Sequence, residues 1–279
     1  MRPALGCGSA IPHRSGGHNR AMRMIRVLSR SDNVKLVART LGPRDVHVWH
    51  LSADCSSKFR AAKLSMDERR RANCLVDQQQ RAVYVLVHDA LRPILAAYLG
   101  SQPLDVKFRK MTNGKPILAG TTSRLHFNLS HSGERAVIAV TRAAQIGVDI
   151  ERLRANRRLD AVAKRFFALE ERALLACRQT NDSEQNSHLL WAFKEAFVKA
   201  TGYGLKQPLD SFALDWSAQN PKIIREPSGF VQRWTLECFS PHSDYVGALV
   251  VNHHHARVTH FRVEPIYSSG WRWSLCAVS

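Results

Sequence analysis

The segment Ile146-Gly-Val-Asp-Ile-Glu151 constrains the fold strongly, because apolar and acidic residues alternate along it. Alternate side chains of a β-strand point to opposite faces of the sheet. Val148 and Ile150 are therefore expected on one apolar face, and Asp149 and Glu151 on the other. The pattern predicts a strand that packs on a core with one face and presents two carboxylates with the other.

Two carboxylates on one face of a short strand either bind a cation or repel each other. A third acid, Glu195, lies in the apolar segment Trp191-Ala-Phe-Lys-Glu-Ala-Phe-Val-Lys199. A hard cation explains such acids, because Mg²⁺ prefers oxygen ligands and keeps positions open for water and phosphate. The alternative is a solvated strand end that pairs with Arg152 and Arg154. Glu195 and Lys199 share a helix face, and such a pair often gives only surface support.

The chain carries a large excess of positive charge. Its 279 residues include 41 Lys and Arg against 23 Asp and Glu, a formal net charge of +18. This field attracts polyanions such as nucleic acid, anionic membranes, phosphorylated ligands or acidic proteins. Charge alone does not choose among them, and solvated surface charge is an alternative. With 44% hydrophobic residues, the chain can bury a core as one large domain or two smaller lobes.

The cysteines and the N-terminal residues bear on location. The six cysteines are scattered without a C-x-x-C pair, which favours neither a zinc site nor a disulfide framework. Such usage suits a reducing cytosol, so a cytoplasmic protein is expected. No apolar run approaches the roughly 18 residues of a membrane span. The first 26 residues contain five arginines and no acid; a transit peptide, a disordered extension or a start codon placed ahead of Met22 or Met24 explains them.

Apolar periodicity and turn residues predict a succession of helices and strands. Ser65 and Glu68 have the capping-box spacing and open the first helix. Residues 179–187 are polar and predict a loop, and Gly202 ends the helix that follows it. Further helices are predicted over Arg81–Leu91, Leu159–Cys177 and His188–Thr201. Strands are predicted over Asp45–Leu51, Asp105–Arg109, Leu125–Leu129, Ala136–Thr141, Gly147–Glu151, Phe212–Trp216, Trp234–Phe239 and Val246–Val251.

A faint internal repeat favours two similar lobes, although chance similarity is the alternative. The pairs His131-Ser132 and His242-Ser243 each precede an apolar strand in a similar order of segments. The repeat predicts two α+β lobes with a cleft between them. The expected division is a basic, disordered extension over 1–43, an N-terminal lobe over 44–143, a C-terminal lobe over 144–265 and a tail over 266–279.

The order of these segments resembles the Sfp-type 4′-phosphopantetheinyl transferases. The motifs that carry the resemblance are Gly114-Lys-Pro116, Phe127-Asn-Leu-Ser-His-Ser-Gly133, Ile146-Gly-Val-Asp-Ile-Glu151, Arg165-Phe-Phe167 with Glu171, Trp191-x-x-Lys-Glu-Ala-x-x-Lys199, Gly202-Tyr-Gly-Leu205 and Pro208-Leu-Asp-Ser-Phe212. The resemblance covers roughly residues 46–251. It implies an α+β fold of two similar, pseudo-twofold lobes, each a small antiparallel sheet packed with helices.

The resemblance also implies an activity. Members of this family transfer 4′-phosphopantetheine from coenzyme A to a serine of an apo acyl or peptidyl carrier protein and release adenosine 3′,5′-bisphosphate. Such enzymes serve fatty acid, polyketide or nonribosomal peptide biosynthesis. By this resemblance Asp149, Glu151 and Glu195 hold Mg²⁺ on the pyrophosphate of coenzyme A. Glu195 takes the serine proton, directly or through water, and Lys199 neutralises charge on the transferred phosphate.

Further side chains are implied to bind coenzyme A. With Asp149 and Lys199, they are Arg69, Arg71, Arg81, Lys115, Ser130 and His131. The three arginines match basic positions used for the 3′-phosphate and adenine end, but Glu68 stands where a basic residue is common. A solvated loop lysine at position 115, and a structural hydrogen-bonding histidine at position 131, are the alternatives.

The implied partners are coenzyme A and an apo carrier protein, and the protein is expected to be a monomer that binds neither nucleic acid nor membrane. The carrier is expected to approach the 179–187 loop. The alternative function is a non-enzymatic nucleic-acid-binding or scaffold protein that uses the basic surface. It predicts steeply salt-dependent binding that Asp149→Ala leaves unchanged. His253 and His255 could bind a metal, although a solvated strand end is the simpler explanation.

Overall fold

The computed structural model describes residues 32–53, 64–120, 122–143, 145–154, 159–177, 183–216, 221–227, 233–266 and 270–275. The helices in these ranges are α1 (Asp32–Arg39), α2 (Met66–Asn73), α3 (Gln78–Leu99), α4 (Leu159–Phe166), α5 (Leu169–Cys177) and α6 (Ser183–Thr201). The strands are β1 (Asp45–Ser52), β2 (Lys107–Lys110), β3 (Pro116–Ala119), β4 (His126–Ser132), β5 (Arg135–Thr141), β6 (Ile146–Arg152), β7 (Ala213–Asp215), β8 (Lys222–Arg225), β9 (Thr235–Phe239), β10 (Tyr245–Val251), β11 (Arg257–Ile266) and β12 (Gly270–Leu275).

The strands form two main sheets and two small hairpins. The first sheet has the order β12-β11-β1-β5-β4, and the second has the order β6-β10-β9. The pairs β2-β3 and β7-β8 are separate two-stranded sheets. The predicted α+β class with small sheets and helices is confirmed. The first sheet is mixed rather than purely antiparallel, because β11 pairs parallel to β1.

Three apolar clusters fix the packing of the layers. The first joins α3 to one face of the first sheet, with Ile94 of α3 and Ile138 of β5 fully buried. The second joins α6 to the second sheet and to the β7 region, and includes Phe197 and Phe212. The third, which includes Val148, lies between the two sheets. The two sheets therefore stack face to face, with one long helix on the outer side of each.

Local sequence signals set the ends of the central helices. The capping box of Ser65 and Glu68 is formed at the start of α2. Asp77 caps α3 by accepting the Gln80 N–H at 2.9 Å, and α3 ends at Gly100 in the left-handed region, with φ of 67°. Gly202 likewise follows α6 with φ of 76°.

Within the described ranges, α3 is the one helix that by length and composition could cross a membrane. The helix has 22 residues and is apolar enough to span a bilayer, so the expectation that no apolar run reaches span length fails at this segment. Most of its apolar stretch is buried inside the protein, as a core helix would be. This helix is weak evidence for a membrane span.

Both chain ends differ from the expected division. Residues 32–39 form α1, whose Val34 and Ala38 pack in the first cluster, so part of the expected disordered extension is an ordered helix. Strands β11 and β12 belong to the first sheet, although β11 falls almost wholly in the expected C-terminal lobe and β12 in the expected tail. Strand β11 pairs with the edge of β1 that β5 does not occupy, and β12 pairs with β11. Residues 1–31 and 276–279 lie outside the described residues.

The predicted helix over Leu159–Cys177 is two helices, α4 and α5. The break falls at Phe167 and Ala168, where the Glu171 carboxylate accepts the Ala168 N–H at 2.8 Å and so caps α5. Helix α6 begins at Ser183, within the stretch predicted as a loop, and residues 178–182 lie outside the described residues. Residues 253–255 form a turn after β10 rather than a strand end.

Candidate functional site

The candidate site lies where the edge strands of the two sheets run side by side. Polar side chains of β4 at alternate positions bind the backbone of β6. Asn128 Oδ1 accepts the Val148 N–H at 2.8 Å, and Ser132 Oγ accepts the Arg152 N–H at 3.1 Å. These side chains take the place of a backbone ladder between the sheets, and we call this junction the β4–β6 seam.

Asp149 lies in the middle of the seam and is buried. Its Oδ1 atom accepts from Ser130 Oγ at 2.7 Å and from Lys199 Nζ at 2.6 Å. Lys199 Nζ also donates to Ser130 Oγ at 3.2 Å. The Oδ2 atom of Asp149 is buried and has no hydrogen-bond partner among the residues that the structure describes. Because an unpaired buried carboxylate oxygen is costly, this atom needs a ligand that the described residues do not supply.

The other two acids lie close to Asp149. Glu151 is half-buried on β6, with Ser132 Oγ at 3.5 Å from its Oε2. Glu195 is half-buried on α6. Burial raises the pKa of Glu195, as do the charges of Asp149 and Glu151, whereas Lys199 lowers it. Three carboxylates and one ammonium leave a net charge of −2 here, which a divalent cation complements.

The donor set suits a hard cation, since it consists of carboxylate oxygens and includes an unpartnered buried one. In the described part of the chain, no three His, Cys, Asp or Glu side chains are grouped closely enough to hold a metal ion as they stand. Lys199 instead neutralises Asp149 through a 2.6 Å ion pair. The structure brings the predicted acids together but does not show a metal centre.

Gly147 explains how α6 reaches the seam. A Cβ atom at this position would lie 1.9 Å from the Ala196 carbonyl oxygen and 2.5 Å from the Ala200 nitrogen. Only a residue without a side chain lets the helix backbone approach β6 so closely. This approach brings Lys199 of α6 against Asp149.

Lys115 forms hydrogen bonds with the backbone of β6 and α6 in the same region. Its Nζ donates to the Ile146 carbonyl at 2.9 Å and to the Lys199 carbonyl at 2.5 Å. Burial and the charge of Lys199 lower the pKa of Lys115 to about 8. The side chain thus joins the β2–β3 turn to the start of β6 and the end of α6. Its contact with a phosphate of coenzyme A stays a prediction.

Ser130 and His131 take different positions, as adjacent strand residues do. Ser130 is buried and holds Asp149, whereas His131 is exposed. Partial burial and the charge of Lys199 lower the pKa of His131, and Asp149 partly offsets both. His131 is the one of the two that an incoming ligand can reach.

The predicted arginines lie on α2 and α3, away from the seam contacts. Arg69 and Arg81 line a cavity of about 400 Å³, and Arg71 is exposed outside its lining. The remaining lining residues are Leu64, Ala72, Asn73, Gln78, Ala82 and Val85. Arg81 Nη2 donates to the Leu75 carbonyl at 2.8 Å.

Glu68, which stands where the resemblance expects a basic residue, has a structural partner. Its carboxylate pairs with Arg92 at 3.1 Å and accepts the Ser65 N–H at 2.7 Å. It therefore caps α2 and links α2 to α3. The departure from the family pattern is explained by these local contacts.

Two groups of residues that position the site were not predicted from the sequence. Asn128 and Ser132 hold the seam, and their signal was the alternate spacing of Asn128, Ser130 and Ser132 along β4. Lys194 is completely buried and pairs with Glu171 at 2.7 Å. Its signal was a lysine placed among the apolar neighbours Phe193 and Phe197 on α6.

Comparison with known proteins identifies the family. Residues 145–250, which include all three acids and Lys199, match the family described as the 4′-phosphopantetheinyl transferase superfamily. The 4′-phosphopantetheinyl transferase HetI of Nostoc sp. is 36% identical over 218 residues, which cover 76% of this chain and 90% of that protein. This chain belongs to the Sfp-type 4′-phosphopantetheinyl transferase family.

Two proteins of Bacillus subtilis are also similar to this chain. A 4′-phosphopantetheinyl transferase of Bacillus subtilis is 33% identical over 180 residues, covering 64% of this chain and 78% of that protein. The transferase Sfp of Bacillus subtilis strain 168 is 31% identical over 163 residues, covering 54% and 71%. These relatives give no support to the alternative of a non-enzymatic nucleic-acid-binding or scaffold protein.

Proposed function

We propose that this transferase moves 4′-phosphopantetheine from coenzyme A to a serine hydroxyl of an apo acyl or peptidyl carrier protein. The observation that carries the proposal is the arrangement around Asp149. One of its oxygens is held by Ser130 and Lys199, and the other is buried without a partner beside two further acids. Family membership supplies the class of reaction, and this arrangement supplies a site for it.

The reaction is a phosphoryl transfer. The serine oxygen forms a bond to the phosphorus that carries pantetheine, and the bond from that phosphorus to the bridging oxygen breaks. Adenosine 3′,5′-bisphosphate leaves with the electron pair of that bond. Catalysis of such transfers is mostly positioning and neutralisation of charge.

Asp149, Glu151 and Glu195 would hold Mg²⁺, which supplies charge neutralisation and polarisation of the phosphorus–oxygen bond when bound. Glu195 accepts the serine proton, directly or through a water molecule. Burial and the charges of Asp149 and Glu151 raise the pKa of Glu195 while no cation is bound. Bound Mg²⁺ would lower this pKa, which favours proton transfer through a water molecule over direct abstraction. Lys199 forms an ion pair with Asp149. The negative charge of the bound phosphate would compete with Asp149 for this ammonium group, and Lys199 would then neutralise the transferred phosphate.

The cavity between α2 and α3 is proposed to take the adenosine 3′-phosphate end of coenzyme A. Arg69 and Arg81 line it, and a guanidinium can bind a phosphate through two parallel hydrogen bonds. Lys115 and His131 are proposed as further contacts with the phosphates. The net charge of +18 supports a polyanionic co-substrate and an acidic partner.

The proposal also includes a cytoplasmic monomer that acts without nucleic acid or membrane. The cytoplasmic location is supported by the cysteine usage, since Cys74, Cys177 and Cys238 are free. Size-exclusion chromatography with light scattering tests the monomer, and a mass of two chains would refute it.

The test of the activity uses the full chain, coenzyme A, Mg²⁺ and a panel of apo carriers from fatty acid, polyketide and peptide synthetases. Intact-protein mass spectrometry is expected to show a gain of one phosphopantetheinyl group on at least one carrier. The matched control is the same carrier with its acceptor serine changed to alanine, which should gain nothing. No gain on any carrier would overturn the proposal.

A further inference from the structure

Helix α6 carries a second charged pair, outside the carboxylate cluster. Lys194 Nζ lies 2.7 Å from Glu171 Oε1, and both side chains are 0% exposed. Lys194 Nζ also donates to the carbonyls of Leu209 and Phe212, each at 2.7 Å. The three donors of this ammonium group are therefore all used.

Glu171 is equally well bound. Its Oε1 atom accepts the Leu214 N–H at 2.9 Å, and its Oε2 atom accepts the Ala168 N–H at 2.8 Å. The pair thus connects α6 with the start of α5, the turn before β7 and β7 itself. Every contact is directional, and none reaches solvent.

Stability is a weak reason for such a pair. Burying two charges costs much of what their attraction returns, and apolar residues of similar volume often stabilise a protein as well. The surroundings of Lys194 on α6 are already apolar, since its helix neighbours Phe193 and Phe197 are fully buried. A hydrogen-bonded ion pair differs from an apolar contact because it fixes the orientation of the two side chains.

The orientation of Lys194 matters because Glu195 is the next residue on the same helix. Successive residues of an α-helix are about 100° apart around its axis, so holding Lys194 fixes the rotation of α6 and hence the direction of Glu195. Gly147 sets how close α6 lies to β6, but a glycine contact does not prevent rotation. Lys199 lies five residues beyond Lys194 on the same rigid helix.

We infer that the buried Lys194–Glu171 pair is a positioning device for the transfer reaction. It sets the rotation of α6 so that Glu195 and Lys199 face Asp149. Neither residue of the pair touches the substrate. This inference rests on the proposed function, whose own test is the activity of the wild-type protein.

The decisive variant removes both charges together, Lys194→Met with Glu171→Leu, so that no lone charge is left buried. The melting temperature is expected to fall, because the carbonyls of Leu209 and Phe212 and two backbone N–H groups lose their buried partners. The kcat for carrier modification should fall by about ten- to a hundredfold, since small misplacements of catalytic groups have effects of that size. The KM for coenzyme A should change less than kcat does, by under about threefold, because the proposed contacts Arg69 and Arg81 lie on α2 and α3 rather than on α6.

A second readout does not depend on turnover. Binding of Mn²⁺, followed by electron paramagnetic resonance, should weaken by about tenfold or more in the double variant. The matched control is Leu249→Val, a core change between the two sheets and away from α6. It should lower the melting temperature without changing kcat or Mn²⁺ affinity.

The inference is overturned if the double variant keeps kcat within about threefold of the wild type. It is also overturned if Leu249→Val at an equal loss of stability lowers kcat as much. If the double variant does not fold, Glu171→Gln decides, because it keeps the size of the side chain while removing its charge. Lowered kcat with an unchanged KM supports positioning, and wild-type kcat with a lowered melting temperature refutes it. An inactive wild-type protein would instead refute the proposed function.

Discussion

At Asp149 the two carboxylate oxygens have different surroundings, and this difference defines the site. One oxygen accepts from Ser130 and Lys199, while the other is buried and unpaired. The alternation along Ile146–Glu151 was enough to predict that Asp149 and Glu151 share a face. It could not predict the ion pair with Lys199, because that contact joins residues 50 positions apart in sequence.

Asp149→Asn tests this residue directly. The change removes a proposed cation ligand and the counter-charge of Lys199, so we expect carrier modification to fall by more than about a hundredfold. Circular dichroism should show an unchanged fold. Glu170→Gln is the control, because Glu170 pairs with Arg225 at a surface where both side chains are 42% exposed. Equal activity in the Asp149 variant and the control would contradict the assignment.

At the scale of elements, the sequence predicts local structure well and pairing poorly. Every predicted strand overlaps an observed one within the described ranges, because strong alternation or a short apolar run marks each of them. The short strands β3 and β8 were missed, and so were β11 and β12. Asp45 of β1 lies opposite Arg257 of β11, a pairing across 212 residues that no local pattern contains.

The distance of α6 from the site is set by its close contact with β6. Gly147→Ala would place a Cβ atom 1.9 Å from the Ala196 carbonyl, so the helix must move away. We expect a loss of stability of about 1–3 kcal/mol and a large loss of kcat. Urea denaturation and steady-state kinetics measure the two effects.

A suitable control for the glycine variant is Gly120→Ala. A Cβ at Gly120 meets no atom within 4 Å, although its φ of 65° makes the change mildly unfavourable. This variant should lose some stability and keep its kcat. If Gly147→Ala behaves in the same way, close packing of α6 is not what positions the site.

At the scale of the whole molecule, β1 of the first sheet buries a histidine on each of its faces: His47 lies 2.8 Å from Tyr98 of α3, and His50 lies 2.8 Å from His260. Burial lowers the pKa of His47 to about 4, with a partial offset from Asp45. Burial also lowers the pKa of His50 to about 3, and the charges of His260, Arg262 and Arg135 act in the same direction. The composition does not predict these lowered pKa values, because they depend on which histidines face the core.

These two histidines make stability depend on pH. Their folded pKa values lie below the unfolded value of about 6.5, so between pH 6.5 and 4 the unfolded state binds more protons. The free energy of unfolding should therefore fall as the pH falls through this window, by about 1.4 kcal/mol per pH unit for each histidine. Urea denaturation at pH 7, 6 and 5 measures the slope.

His50→Gln isolates one of the two contributions, since glutamine can still hydrogen-bond to His260, which lies 2.8 Å from His50 in the native protein. The variant should be less stable than the wild type at pH 7. Between pH 6 and 5 its free energy of unfolding should depend less steeply on pH, by the equivalent of one bound proton. An unchanged slope would mean that His50 is not held neutral by the fold.

The central claim is that the acids at the β4–β6 seam, with Lys199, carry out Mg²⁺-dependent transfer of phosphopantetheine. The most direct measurement is the rate of carrier modification as a function of Mg²⁺ concentration for the wild type and for Glu195→Gln. We predict saturable activation by Mg²⁺ in the wild type and no transfer in the variant, whose melting temperature should match the wild type. Transfer by Glu195→Gln at the wild-type rate would contradict the account.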